Sequence, residues 1–174
     1  DIYYQGYFIR DEQKIRVVIS SAYKMGMVAA TTLTTKMINN FIPKYVVMTG
    51  ITGGMKRDKT NYGDILVAEA AWDYRAGKDV IKDGERKHLN TINQMSVDPT
   101  LISYCRNLAE DKQALQAIEE SFDQGNKPET KLKMVIGPVV SGASVVTDPD
   151  IVKDVLDTQN RNVLGIEMEI YGVY

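Results

Sequence analysis

The 174-residue sequence predicts a single α/β domain, a sandwich built around a mixed sheet. Three observations predict it. Short β-branched runs alternate with stretches whose apolar residues recur at helical spacing. The joins between them are short, as in strand-helix-strand units. Glycine-containing turns stand where strands end, the place where α/β folds present ligand sites. No internal repeat, low-complexity tract or interdomain linker interrupts this order.

Taken in order, KIRVVISS (residues 14–21) reads as a strand, and GMVAATTLTTKMINNFI sets Ala30, Leu33, Met37 and Phe41 on one helical face. Pro43 stops that helix, and KYVVMTG (44–50) reads as a second buried strand, so the three form a βαβ unit with parallel strands. DILVAEA (64–70) is a third strand, and the polar segment 74–98 that follows has no clear period and reads as a surface excursion. From Pro99 to Phe122, the positions Leu101, Cys105, Leu108, Leu115, Ile118 and Phe122 mark one or two helices. LKMVIGPVVSG (132–142) is a strand, TDPDIVKDVLDTQ (147–159) a helix capped by Thr147 or Asp148, and NVLGIEMEI (162–170) a last strand.

Composition narrows the function classes. The 21 basic and 23 acidic residues are interspersed, without the basic stripe that nucleic acid or anionic lipid requires. Neither a nucleic-acid nor a membrane partner is expected. No apolar stretch approaches the roughly 18 residues needed to span a bilayer. Cys105 is the only cysteine, which excludes an intrachain disulfide and points to a cytoplasmic setting. His88 is the only histidine and lies in the polar stretch KDGERKHLN. With one histidine and one cysteine, a zinc site of the usual kind is not expected, and neither is any other metal centre.

Three stretches carry chemistry. VVMTGITGGM (46–55) lets backbone N–H groups approach a ligand, although its glycines lack dinucleotide-fingerprint spacing and a tight turn alone would account for them. In GPVVSGASVV (137–146), Ser141 and Gly142 form either a bulge or a ligand loop. In NVLGIEMEIYGVY (162–174), Glu167 and Glu169 stand in an otherwise apolar run. An unpaired buried carboxylate costs several kcal/mol, so both must face water, a partner or a ligand. If residues 163–169 are extended, the two point to the same side, which is also what a strand with one wet face would show.

In this order and spacing, TGITGG with YGDILVAEA, then SGASVV, then GIEMEIYGVY resemble the purine/uridine phosphorylase superfamily, and most closely its methylthioadenosine/S-adenosylhomocysteine nucleosidase branch. The last motif is the most specific, similar to the family's [VI]-E-M-E-[AG] signature. The resemblance covers nearly the whole chain. It implies a three-layer α/β/α sandwich without cofactor, working as a homodimer or larger homo-oligomer on a small-molecule nucleoside. The expected activity is hydrolysis of the N-glycosidic bond of a purine nucleoside such as methylthioadenosine or S-adenosylhomocysteine. A nucleoside phosphorylase, or a nucleoside-binding or sensor module without catalysis, is the alternative.

By motif match, Glu169 is the catalytic residue that holds the ribose hydroxyls, Met168 packs on the ribose, and Glu167 lies toward the base. Thr52 and Gly53 line the sugar and nucleophile side, while Val145 and Val146 flank the base. The sequence departs from many relatives at Ala143, where they carry Asp, and at Val145, where they carry a stacking aromatic. Trp72 to Tyr74 could supply an aromatic wall instead, or Trp72 could be core. Met48 stands where phosphorylases place an arginine for phosphate, with Lys24, Lys56 and Arg57 as possible substitutes, which favours water as nucleophile. Relatives carry a water-activating glutamate ahead of the segment matched by Asp1, and a base-protonating Asp past the segment matched by Tyr174. Residues 1–174 are therefore expected to be one nucleosidase-like domain, incomplete at both ends.

Overall fold

The computed structural model describes residues 1–55 and 58–174. The chain opens with a hairpin, β1 (Tyr4–Arg10) and β2 (Gln13–Ile19), followed by α1 (Met27–Phe41) and the short strand β3 (Gly53–Gly54). Strand β4 (Ile65–Asp73) leads into a second hairpin, β5 (Gly77–Lys82) and β6 (Glu85–Asn90), and then into β7 (Met95–Ser96). Helices α2 (Pro99–Glu110) and α3 (Lys112–Ser121) precede β8 (Met134–Ser141). Helix α4 (Pro149–Asp154) runs into a π-helical turn, Val155–Gln159, and β9 (Gly165–Glu167) ends in a 3-10 turn, Ile170–Gly172.

The central sheet has the order β3-β9-β8-β4-β7. It is mixed: β4 with β8 and β8 with β9 are parallel, while β3 and β7 run antiparallel at the edges. This is the α/β fold with a mixed sheet that the sequence predicts. Register sets Trp72, Val140 and Ile166 side by side across three strands. Trp72 and Val140 are fully buried, and with Met55, Tyr74, Val155 and Val163 they form the core, which α4 and the π-helical turn cover through Ile151 and Leu156. Because side chains alternate along a strand, Ser141 points the opposite way from Val140 and meets the chain that follows β9. There α1 docks, with the Thr31 hydroxyl donating to the Gly172 carbonyl at 2.7 Å.

Three helices start at an aspartate, one of them the Asp148 that the sequence offers as a cap. Asp98 accepts from the Thr100 N–H, Asp111 from those of Gln113 and Ala114, and Asp148 from that of Asp150, each satisfying donors that the first helical turn leaves unpaired. Asp111 also explains why the Pro99–Phe122 stretch divides into two helices. Trp72 contributes its indole N–H to Gln159 at 2.8 Å, and the Gln159 amide donates to the Tyr74 carbonyl at 2.9 Å. That exchange ties the π-helical turn to the end of β4.

Four expectations need correction. Residues 14–21 do not open a βαβ unit: Gln13–Ile19 pairs antiparallel with Tyr4–Arg10 in a sheet of its own. The two residues between them, Asp11 and Glu12, both have positive φ, 48° and 65°, the twist that a two-residue hairpin loop requires. The run 44–50 forms no strand, and Val47 is 80% exposed. The segment 74–98 is not shapeless but holds the β5–β6 hairpin, turned at Asp83-Gly84 with φ of 56° and 81°. The last strand is also shorter than residues 162–170 and stops at Glu167.

Candidate functional site

The glycine turn is laid against the end of β9. Gly53 pairs with Ile166 and Gly54 with Gly165, and the Thr52 hydroxyl donates to the Ile166 carbonyl at 3.0 Å. This approach needs glycine at 165, since a Cβ there would stand 2.6 Å from the Thr52 Oγ1. The pairing brings Thr52 and Gly53 beside the segment carrying Glu167, Met168 and Glu169.

The two glutamates are used differently. β9 ends at Glu167, and Glu169 leaves the extended region with φ −132° and ψ −40°, so the two carboxylates do not share one wet strand face. Glu167 turns inward: its Oε1 accepts from the Ser141 hydroxyl at 2.5 Å, and its Oε2 accepts from the N–H groups of Glu169 and Ile170 at 2.7 and 2.8 Å. Its negative charge is felt nearby, since burial and Glu167 together push the Tyr174 phenol up to about 12.

Glu169 crosses to the start of α1, where its Oε1 accepts from the Gly26 N–H at 2.7 Å. A carboxylate is favoured there by the partial positive charge of a helix N-terminus. Among the described residues its other oxygen has no hydrogen-bond partner, and the side chain is half-buried. Gly26 itself has φ 107° and ψ 155°, a conformation open essentially to glycine alone.

Sequence reasoning did not single out Gly26. The signal was its place just ahead of a helical run, where no side-chain cap is available. The sequence offers Ser141-Gly142 as a bulge or a ligand loop, and nothing local in it announces that the Ser141 hydroxyl meets Glu167.

The structure places Val146 against the core and leaves Val145 72% exposed. Trp72 is a core residue and supplies no wall. Met48 is half-buried in the irregular segment 44–52, Lys24 lies over the Tyr23 ring, and Lys56 and Arg57 fall outside the described residues. His88 sits in the β5–β6 hairpin, 2.8 Å from Asp79, whose carboxyl is held below its usual value by the His88 hydrogen bond and then by its charge. Two grooves lie elsewhere. One, of about 410 Å³, runs past Glu69, Ile102, Arg106 and Asn160; the other, of about 250 Å³, is lined by Arg75, His88, Asn90 and Asp154. Neither is bordered by Glu167 or Glu169.

A mixed α/β sheet thus carries a half-buried carboxylate and a glycine turn at its strand ends, the place where α/β folds present ligands. The particular family follows from comparison: residues 3–174 match the phosphorylase superfamily, and the chain belongs to it. It is 33% identical over 150 residues to the uncharacterized protein y4jS of Sinorhizobium fredii, covering 86% of this chain and 36% of that protein. It is 28% identical over 158 residues to a death domain-containing ATP nucleosidase of Amphimedon queenslandica, covering 87% of this chain and 28% of the relative. With the ATP nucleosidase Cap17 of Escherichia coli the identity is 22% over 173 residues, 95% of this chain and 34% of the relative. The chain thus spans about a third of the length of the curated relatives it matches.

Solved structures share the fold. A futalosine hydrolase of Helicobacter pylori superposes with a TM-score of 0.67 at 18% identity, covering 97% of this chain and 62% of that one. A putative 5'-methylthioadenosine/S-adenosylhomocysteine nucleosidase of Francisella philomiragia gives a TM-score of 0.67 at 18% identity, with 98% and 68% coverage. No described helix is long and apolar enough to cross a membrane.

Proposed function

We propose that this chain is the sugar-binding part of an enzyme that hydrolyses the N-glycosidic bond of a purine nucleoside or nucleotide. The observation that carries the reading is the Glu169 carboxylate, held by the Gly26 N–H beside the glycine turn with one oxygen still able to accept. Breaking a ribosyl bond builds positive charge on the sugar while electrons move into the leaving base. A fixed carboxylate under the ribose accepts hydrogen bonds from its 2′- and 3′-hydroxyls, and its charge favours the cation over the neutral ground state. Thr52, Gly53 and Met168 complete the sugar side; Val145 and Val146 belong to the base side.

The names of two curated relatives as ATP nucleosidases support adenine as the base and extend the substrate from nucleosides such as methylthioadenosine to nucleotides. Hydrolysis is favoured over phosphorolysis because Met48 offers no donor to a phosphate dianion, whereas a planar guanidinium would grip it with two hydrogen bonds. The test is chromatography of ATP, methylthioadenosine and S-adenosylhomocysteine after incubation with the longer protein, with and without phosphate. Free base released at a rate indifferent to phosphate is expected, and Glu169→Gln should lower that rate roughly 30- to 1000-fold. Base release that requires phosphate would make the protein a phosphorylase, and a nucleoside bound but unchanged would make it a binding module. Full activity in Glu169→Gln would remove the assignment of that residue.

A further inference from the structure

We infer that Ser141 and Glu167 are positioning residues for Glu169: a paired acceptor set that gathers three consecutive backbone N–H groups and so decides where the Glu169 carboxylate stands. The inference rests on the assignment of Glu169 to the sugar. Ser141 is fully buried, and it is a direct neighbour of Glu167 across the parallel β8–β9 pair. Its hydroxyl donates to Glu167 and accepts from the Tyr171 N–H at 3.0 Å, while Glu167 takes the N–H groups of Glu169 and Ile170. Residues 169, 170 and 171 therefore find their acceptors in two side chains of the sheet rather than in preceding carbonyls, which is how a helical start is normally capped. The Gly142 N–H closes the arrangement from behind by donating to the Glu167 carbonyl at 3.0 Å.

The consequence is mechanical. Glu169 must leave the sheet sharply to reach Gly26 at the start of α1, and the Ser141–Glu167 pair pins the backbone on which that departure depends. Glu167 faces its own chain with both oxygens, so it acts through Glu169 and not on the substrate.

The test couples each residue to a hydroxyl of the substrate. In the longer, active protein, kcat/KM is measured for ATP against 2′-deoxy-ATP, or for methylthioadenosine against its 2′-deoxy analogue if that is the better substrate. Glu169→Gln should abolish most of the parental preference between the two sugars. Glu167→Met, similar in length but without an acceptor, should reduce that preference about 10- to 100-fold, the range of a lost hydrogen bond to a charged group. Glu167→Gln keeps an acceptor for the N–H pair and should restore most of it. A merely structural role would depress both substrates equally and leave the preference untouched. Parental preference in folded Glu167→Met overturns the inference; so does a Glu167→Gln that is as damaging as Glu167→Met. If Glu167→Met does not fold, Ser141→Ala decides: a weakened preference upholds the positioning role, and an unaltered one refutes it. Preference retained by Glu169→Gln instead removes the sugar assignment itself, which separates the two failures.

Discussion

At the scale of single residues, Gly26 has two tasks that conflict for any other amino acid. It must adopt a backbone conformation that side chains disfavour, and its N–H must point at Glu169. A Cβ there would meet nothing within 4 Å, so the cost of Gly26→Ala is conformational rather than steric. That cost is about 1–3 kcal/mol, and a thermal melt should show a lower midpoint together with slower base release. An unchanged midpoint and rate would mean that the turn relaxes without strain and that Glu169 keeps its place without this donor.

At the scale of elements, the π-helical turn is held to the sheet through one side chain, Gln159, which serves the Trp72 indole and the Tyr74 carbonyl together. Gln159→Leu would leave both groups unpaired in the core and should cost about 1–3 kcal/mol for each. The chain has a single tryptophan, so the midpoint of urea unfolding followed by its fluorescence reports the loss directly. A midpoint equal to the parent's would show that water replaces both bonds. The elements also show what can be read from sequence. Helix α1, the apolar face of α2, strands β4 and β8 and the capped start of α4 are legible, because periodicity and local caps decide them. The β5–β6 hairpin was not, because the polar strands around its Asp83-Gly84 turn hide the alternation. The β1–β2 pairing and the idle run 44–50 were not, since both depend on which strand claims which edge. For the site, the motif containing Glu167 and Glu169 was plain, whereas their separate destinations were not. Three residues after β9 abandon the extended path, and no local propensity announces that change.

At the scale of the molecule, the register of the β1–β2 hairpin sets Tyr4, Phe8, Ile15 and Ile19 on one face, each more than half exposed, and an uncovered apolar face invites association. Two-stranded sheets also offer free backbone edges to other chains. We expect the 174-residue chain on its own to self-associate. Sedimentation at several concentrations should show a rising coefficient, and a constant monomer value over the micromolar range would contradict it. The architecture bears on biogenesis as well. Each hairpin closes on neighbours and can form in about 1–10 μs. Strand β4 must instead wait for β8, its parallel partner about seventy residues downstream, a separation that slows folding. At 5–20 residues per second on the ribosome, the wait is roughly 4–14 s. For that interval Trp72, beyond the reach of β7, which pairs only with Ala70 and Ala71, has no neighbouring strand, and nascent β4 is the segment that a chaperone would find first.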